Sequence, residues 1–319
     1  MKLFKRTVAA VGLTIGGLAA WNQLARAGVG PIETTLGGTE HFYPWREGHV
    51  FFEEAGAHDA PPLLLLHGFN AAASSYEMRK VFAGLCDDYH VYAPDLLGYG
   101  RSDRPAMKYT ADLYADLISD FVRDVIQAPT HVIASSLSCA HLLGAVSRHP
   151  ERYQHLVLIC PTGLDTLAKP AGLGANVWHR FLATPILGTS VFTAVASRPS
   201  LRFFLRSFTY GDPQNVPESM IDDYYVESHQ ADAKWAPISF LSAQLNRDVR
   251  SEWLHLTHRV LIVWGRRGGF SPIGELRSFL LLRPDTSFHV FEESGVLPHD
   301  EQADAFNAYV KHWLAERDR

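Results

Sequence analysis

The run Ile133-Ala134-Ser135-Ser136-Leu137-Ser138 places a serine where an apolar, strand-like segment gives way to a helix-like one. A serine hydroxyl is a poor nucleophile until a base takes its proton. It must also project from a sharp turn at the carboxyl edge of a sheet, beside backbone N–H donors. Such a turn is so tight that the residues two before and two after must be small. Ser136 meets this with Ala134 and Ser138; Ser135 would have Ile133 as its neighbour, and Ser138 would lie too far into the helix. Small-x-Ser-x-small is also common in ordinary strand–helix packing, so the motif takes its weight from the elements around it.

Those elements alternate. His41–Glu47 and His49–Glu54 flank Gly48 and read as a β-hairpin. Pro62–His67 holds four consecutive leucines, as a strand buried on both faces does. Ser75–Asp88 has helical spacing, His90–Asp95 is strand-like, and Thr110–Gln127 repeats Leu113, Leu117, Phe121 and Val125 every four residues. Thr130–Ser135, Leu137–Arg148 and His155–Cys160 continue as strand, helix and strand. The alternation stops over residues 164–250, which are helical and aromatic-rich. It resumes at Arg259–Trp264, Ile273–Leu282, Ser287–Phe291 and Asp300–Arg317. Strands alternating with helices predict an α/β fold with a mostly parallel, doubly wound sheet. One sheet with a helical insertion explains the pattern better than two domains.

Composition excludes several classes. Hydrophobic residues at 47% and charged residues at 20% fit a globular chain. A net charge of −5, with no long basic run beyond the N-terminus, gives no nucleic-acid footprint. The sixteen histidines are scattered without metal-ligand spacing, so no metal is implied. Cys86, Cys139 and Cys160 form no disulfide framework and no C-x-x-C motif, and read as small buried hydrophobes.

Further motifs surround the serine turn. Leu65-Leu66-His67-Gly68-Phe69 ends the leucine strand, and Pro94-Asp95-Leu96-Leu97-Gly98-Tyr99-Gly100-Arg101-Ser102-Asp103 follows the next one. Trp264-Gly265 ends a later strand, and Pro298-His299-Asp300-Glu301 opens the last helix. In this order and spacing the chain closely resembles the α/β-hydrolase superfamily, in its single-domain esterase, lipase and carbon–carbon hydrolase branch. The resemblance covers about residues 41–163 and 251–317. It implies Ser136 as nucleophile and the backbone N–H groups of Phe69 and Leu137 as the oxyanion hole. Each such donor is typically worth about 2.7–4 kcal/mol in a transition state. Asp95, Ser102 and Asp103 are expected to brace a loop. No cofactor is implied.

Two positions depart from that pattern. The family's acid lies three residues after the glycine ending the seventh strand; here that position is Gly268, with Pro272 holding the register. The family's base follows the glycine after the eighth strand; here it is Val296, between Gly295 and Pro298. Removing triad members from well-studied serine hydrolases costs on the order of 10⁴–10⁶ in turnover. His299 is a possible displaced base or the structural histidine of a helix start. Asp165 is a possible acid or a turn residue. His179 and His229 lie in the insertion, and Cys139 follows the serine in its helix.

The N-terminus has its own character. Lys2, Lys5 and Arg6 precede an uncharged run from Thr7 to Leu24 whose apolar part is short for a bilayer span, and Ala25-Arg26-Ala27 resembles a cleavage site. Cleaved export signal and retained membrane anchor both remain open.

The sequence thus divides into an N-terminal membrane-targeting segment (1–30), a first core part (31–163), a helical lid (164–250) and a second core part (251–319). It is nominally a serine hydrolase of a hydrophobic ester or related carbonyl compound. The alternative is a non-catalytic descendant that binds an apolar ligand or acts at a membrane surface. The aromatics of the insertion, without a Lys or Arg cluster, favour an apolar or amphipathic small molecule.

Overall fold

The four leucines of residues 63–66 are all buried, as a strand covered by helices on both faces requires. They belong to the sheet seen in the computed structural model, which describes residues 2–316, with side chains from residue 14 onward. The chain opens with helix α1 (Lys2–Arg26) and the hairpin β1 (Thr39–Trp45) and β2 (Gly48–Ala55). There follow β3 (Pro62–Leu66), α2 (Arg79–Leu85), β4 (His90–Pro94), α3 (Ala111–Phe121), β5 (Thr130–Ser135), α4 (Leu137–Arg148) and β6 (Tyr153–Ile159). A helical stretch then intervenes: α5 (Leu173–Leu182), α6 (Leu187–Val195), α7 (Arg198–Phe204), α8 (Glu218–Ser228), α9 (Trp235–Leu241) and α10 (Arg250–His255). The sheet resumes with β7 (Val260–Gly265), α11 (Leu276–Leu282), β8 (Ser287–Phe291), α12 (Pro298–Glu301) and α13 (Ala303–Ala315).

The eight strands form one sheet in the order β1-β2-β4-β3-β5-β6-β7-β8. β2 runs antiparallel to β1 and β4, and the remaining pairings are parallel. Register fixes what lies at the working edge. Leu66 pairs with Ala134, Ala134 with Leu158, and Leu158 with Ile262. The segments after these strands therefore emerge side by side at the carboxyl edge, where open α/β sheets bind ligands.

Local differences from the sequence pattern have physical causes. The helix expected over Ser75–Asp88 begins as a 3-10 turn at Ser75–Met78. The one expected over Thr110–Gln127 ends in a π-helical turn, Val122–Ile126, closed by Gln127 in the left-handed region at φ 59°. Thr110 caps this helix, its hydroxyl accepting from Leu113 N–H. At the end of the insertion, α10 packs on α4 and α11 beside the sheet, and Trp253 is fully buried with its indole N–H on Phe279 O at 3.0 Å.

The C-terminal half of α1 is docked on the insertion, against α6. Asn22 is buried; its amide donates to Ile186 O and its carbonyl oxygen accepts from the Ser190 hydroxyl at 3.1 Å. Tyr225 OH donates to Ala25 O at 2.7 Å, and the Gln230 amide to Gly30 O at 2.8 Å. Among the described residues no helix is long and apolar enough to cross a membrane.

Candidate active site

Ser136 stands between β5 and α4 at φ 53°, ψ −119°. A non-glycine residue in this region carries strain of about 1–3 kcal/mol and persists only where the surroundings impose it. They do so here: the Ser136 N–H donates to Ile159 O at 2.8 Å, and its carbonyl accepts from Cys139 N–H at 3.1 Å. Small neighbours let the turn close. Ala134 is fully buried, and the Ser138 hydroxyl donates to His67 O, tying α4 to the turn after β3.

That turn is built by His67. Its Nδ1 pairs with Gly68 O at 2.7 Å, so it is the donor, and Nε2 accepts from Leu96 N–H at 3.0 Å. The ring thereby bridges the loops after β3 and β4 and fixes Phe69. Neither Phe69 N–H nor Leu137 N–H has an acceptor among the described residues. Both donors are thus unpaired, and Leu137 N–H opens the helix after Ser136, whose dipole favours negative charge. Asp95 accepts from Ser75 and Arg101 N–H groups at 2.6 and 2.7 Å. Ser102 links Phe51 N–H to Asp95 O, and Asp103 accepts from His49 N–H. All three brace loops.

The loops after β7 and β8 meet backbone to backbone. A Cβ on Gly265 would fall 1.7 Å from Gly295 O, so only glycine fits there. A Cβ on Gly268 would lie 3.1 Å from Val296 Cγ2. The two departures from the family pattern are therefore neighbours in space. Val296 is held by its own N–H on Thr209 O and by Gly295 N–H on Glu301 Oε1, both at 2.6 Å. With Ser136, Phe69, Glu77, Tyr224 and Phe270 it lines a cavity of about 40 Å³. No histidine hydrogen-bonds Ser136 among the described residues.

The substitutes considered from the sequence lie elsewhere. Asp165 is exposed and accepts from the Ser278 hydroxyl of α11 at 2.5 Å. His299 is fully buried and neither ring nitrogen is hydrogen-bonded. Its Nε2 lies 3.6 Å from Glu77 Oε1, so it faces Glu77 and not the serine hydroxyl. His179 pairs with the Ser239 hydroxyl, and His229 stacks on Tyr225. The Cys139 thiol is buried against Ala134 O, and burial pushes its pKa well up.

The sequence reading missed Glu77. This buried carboxylate accepts from Gly68 N–H at 3.2 Å and lines the Ser136 cavity. Burial alone would raise its pKa; His299, Ser135 and His67 together outweigh that and hold it below the ordinary value. Among the described residues no group of three or more His, Cys, Asp or Glu is placed to hold a metal ion.

A strained serine turn with two unpaired N–H donors, on the carboxyl edge of this sheet, is the arrangement expected of the α/β-hydrolase fold. The chain belongs to the α/β-hydrolase family: the model of the Alpha/beta hydrolase family matches residues 63–309. It is 26% identical over 282 residues to the 2-hydroxy-6-oxo-6-phenylhexa-2,4-dienoate hydrolase of Burkholderia cepacia, covering 83% of this chain and 91% of that one. It is 25% identical over 275 residues to the 2-hydroxymuconate semialdehyde hydrolase of Pseudomonas sp. (strain CF600), covering 81% and 88%. Among solved structures, a serine hydrolase involved in carbazole degradation shares the fold with a TM-score of 0.72 at 20% identity, covering 88% of this chain and 99% of that one. A bacterial membrane phospholipase A shares it at 0.71 and 21% identity, covering 98% of both chains. Coverage of 98% extends that likeness of fold over the N-terminal helix.

Proposed function

We propose that this chain binds a hydrophobic carbonyl compound, such as an ester, between the sheet edge and the helical insertion acting as a lid. The carbonyl oxygen is held by Phe69 and Leu137 N–H beside Ser136, and Ser–His–Asp chemistry does not operate. The observation that carries this is the Val296–Gly268 contact: both partner positions are present in register, and both are filled by groups that cannot move a proton. Relatives named as hydrolases of oxo-dienoates support a carbonyl ligand, and Phe204, Tyr224 and Phe270 supply apolar walls.

The test is labelling of Ser136 by a fluorophosphonate together with hydrolysis of p-nitrophenyl butyrate. The expected result is negligible labelling and turnover near that of Ser136→Ala. Rapid labelling with turnover lost in Ser136→Ala would overturn the proposal. A second reading, an active hydrolase with a relocated base, is favoured by Glu77 in the serine's cavity. It requires substantial wild-type turnover that collapses in Glu77→Gln.

The N-terminal segment is proposed to associate with membranes while remaining part of the chain. Lys2, Lys5 and Arg6 before the apolar run support the association. The bonds to Ala25 and Gly30 support retention over cleavage. Cell fractionation with N-terminal sequencing checks both. Full-length protein wholly in the soluble fraction would refute the association, and a mature chain starting near Gly28 would refute retention.

A further inference from the structure

Glu77, Tyr224 and Leu297 line two cavities at once. Beyond the small one at Ser136 lies another of about 120 Å³. That is about four times the ~30 Å³ share of one liquid water, enough for a compact organic group. Its walls carry the carboxylates of Glu77, Asp223 and Glu227 and the rings of Tyr76, Tyr210 and Tyr224.

Its charges are unbalanced. Arg79 also lines it, but the guanidinium is committed: it donates to Asp300 Oδ1 at 2.7 Å and to Tyr76 O at 3.1 Å. Lys80 is bound to the same Asp300. Among the described residues neither Glu227 nor Asp223 makes an ion pair. Glu227 is 5% exposed; its Oε1 accepts from the Ser74 hydroxyl at 2.7 Å, and its Oε2 receives no hydrogen bond. The charged groups around it are Asp95 and Arg104 from the loop after β4, Asp223 from its own helix, and Glu77. Arg104 donates to Gly100 O and pairs with no carboxylate. Burial pushes the Glu227 carboxyl up to about 8, with Asp95 and Asp223 adding. A carboxyl on a buried residue with one oxygen unpartnered, beside a second unpaired carboxylate and the rings of Tyr210 and Tyr224, makes a site that lacks one positive charge once Glu227 ionises.

We propose that this cavity is a subsite for a small organic cation, an ammonium group borne by the ligand whose carbonyl lies at Ser136. The aromatic lining suits such a cation better than a metal ion: ring faces attract organic cations, while no three His, Cys, Asp or Glu among the described residues converge for coordination. The part of the proposal that links the two cavities rests on the carbonyl-binding reading of Ser136. Cation binding itself does not.

Titration of the full chain with choline by calorimetry at fixed ionic strength tests it, with 3,3-dimethylbutanol as the neutral isostere. Choline is expected to bind at least about tenfold more tightly than the isostere, and tenfold more weakly to Glu227→Gln. Because the cation favours ionised Glu227, affinity should rise between pH 6 and pH 9, with proton release on binding near pH 7. Asp223→Asn, at a half-buried position, is a second variant expected to weaken binding. Ser136→Ala should leave it unchanged, so loss of the Ser136 reading and loss of the subsite are separable. Equal binding of choline and its isostere, no detectable choline binding, or no effect of either carboxylate variant would overturn the subsite.

Discussion

The double variant Val296→His, Gly268→Asp is expected to hydrolyse p-nitrophenyl butyrate at least about 100-fold faster than the wild-type chain, and to gain fluorophosphonate labelling at Ser136. Losing triad members costs on the order of 10⁴–10⁶ in turnover, so partial recovery is a large signal. Gly268 is not among the positive-φ residues, so a side chain there meets no backbone strain. Its nearest obstacle is Val296 Cγ2, the atom that the first substitution removes. A Cβ on Gly268 would also lie 3.2 Å from Val296 N and 3.3 Å from Ser271 O, so the loop must give by a few tenths of an ångström to take the aspartate. The imidazole would project into the cavity that Val296 already shares with Ser136. Val296→His alone should recover much less, since without the carboxylate nothing fixes its tautomer; that loss is about 10⁴ in a well-studied triad. A correctly folded double variant with unchanged labelling and turnover would show that the two positions do not stand where a base and acid can serve Ser136.

Glu227 gives the second large effect, on stability against pH. Its folded-state carboxyl is raised to about 8, chiefly by burial. The folded chain therefore holds this proton more tightly than the unfolded chain. The resulting stabilisation is complete below the unfolded carboxyl range, declines as pH rises, and is lost above about 8. At 1.36 kcal/mol per unit the span is on the order of 4–5 kcal/mol. Glu227→Gln keeps the shape and removes the proton. In urea titrations, wild type minus variant is expected to fall by a few kcal/mol between pH 5 and pH 9. A difference that stays constant across this window would contradict the assignment.

The parts of the site that could be read along the chain are those set by local sterics. Ala134 and Ser138 singled out Ser136 because the turn leaves room for nothing larger. Four leucines announced a strand covered on both faces. Gly295 and Pro298 fixed the position of Val296, and the 1.7 Å approach of a Gly265 Cβ to Gly295 O shows why such a glycine cannot drift. What remained hidden depends on distant segments. Glu77 falls in a stretch with ordinary helical spacing, and only folding brings Gly68, Ser135 and His299 around it. Glu227 and Asp223 lie on α8, an acidic helix by sequence, and nothing local says that it faces inward. Asp165 follows β6 closely in sequence, and only the fold shows that Ser278 of α11 donates to it. The apolar N-terminal run suggested a segment apart from the body, whereas Asn22 ties its end to α6.

That tie reaches further than the helix it anchors. Tyr225 grips Ala25 O from the residue between Tyr224, which walls both cavities, and the stretch leading to Glu227; Gln230, just past the same helix, grips Gly30 O. The leading segment and the walls of the two cavities thus share one mechanical element. A chain trimmed to Gly28 loses the carbonyl that steadies Tyr225, and a bulky N-terminal fusion loads the same joint. The way the protein is expressed or tethered at its front end then becomes a variable of the shape of these cavities.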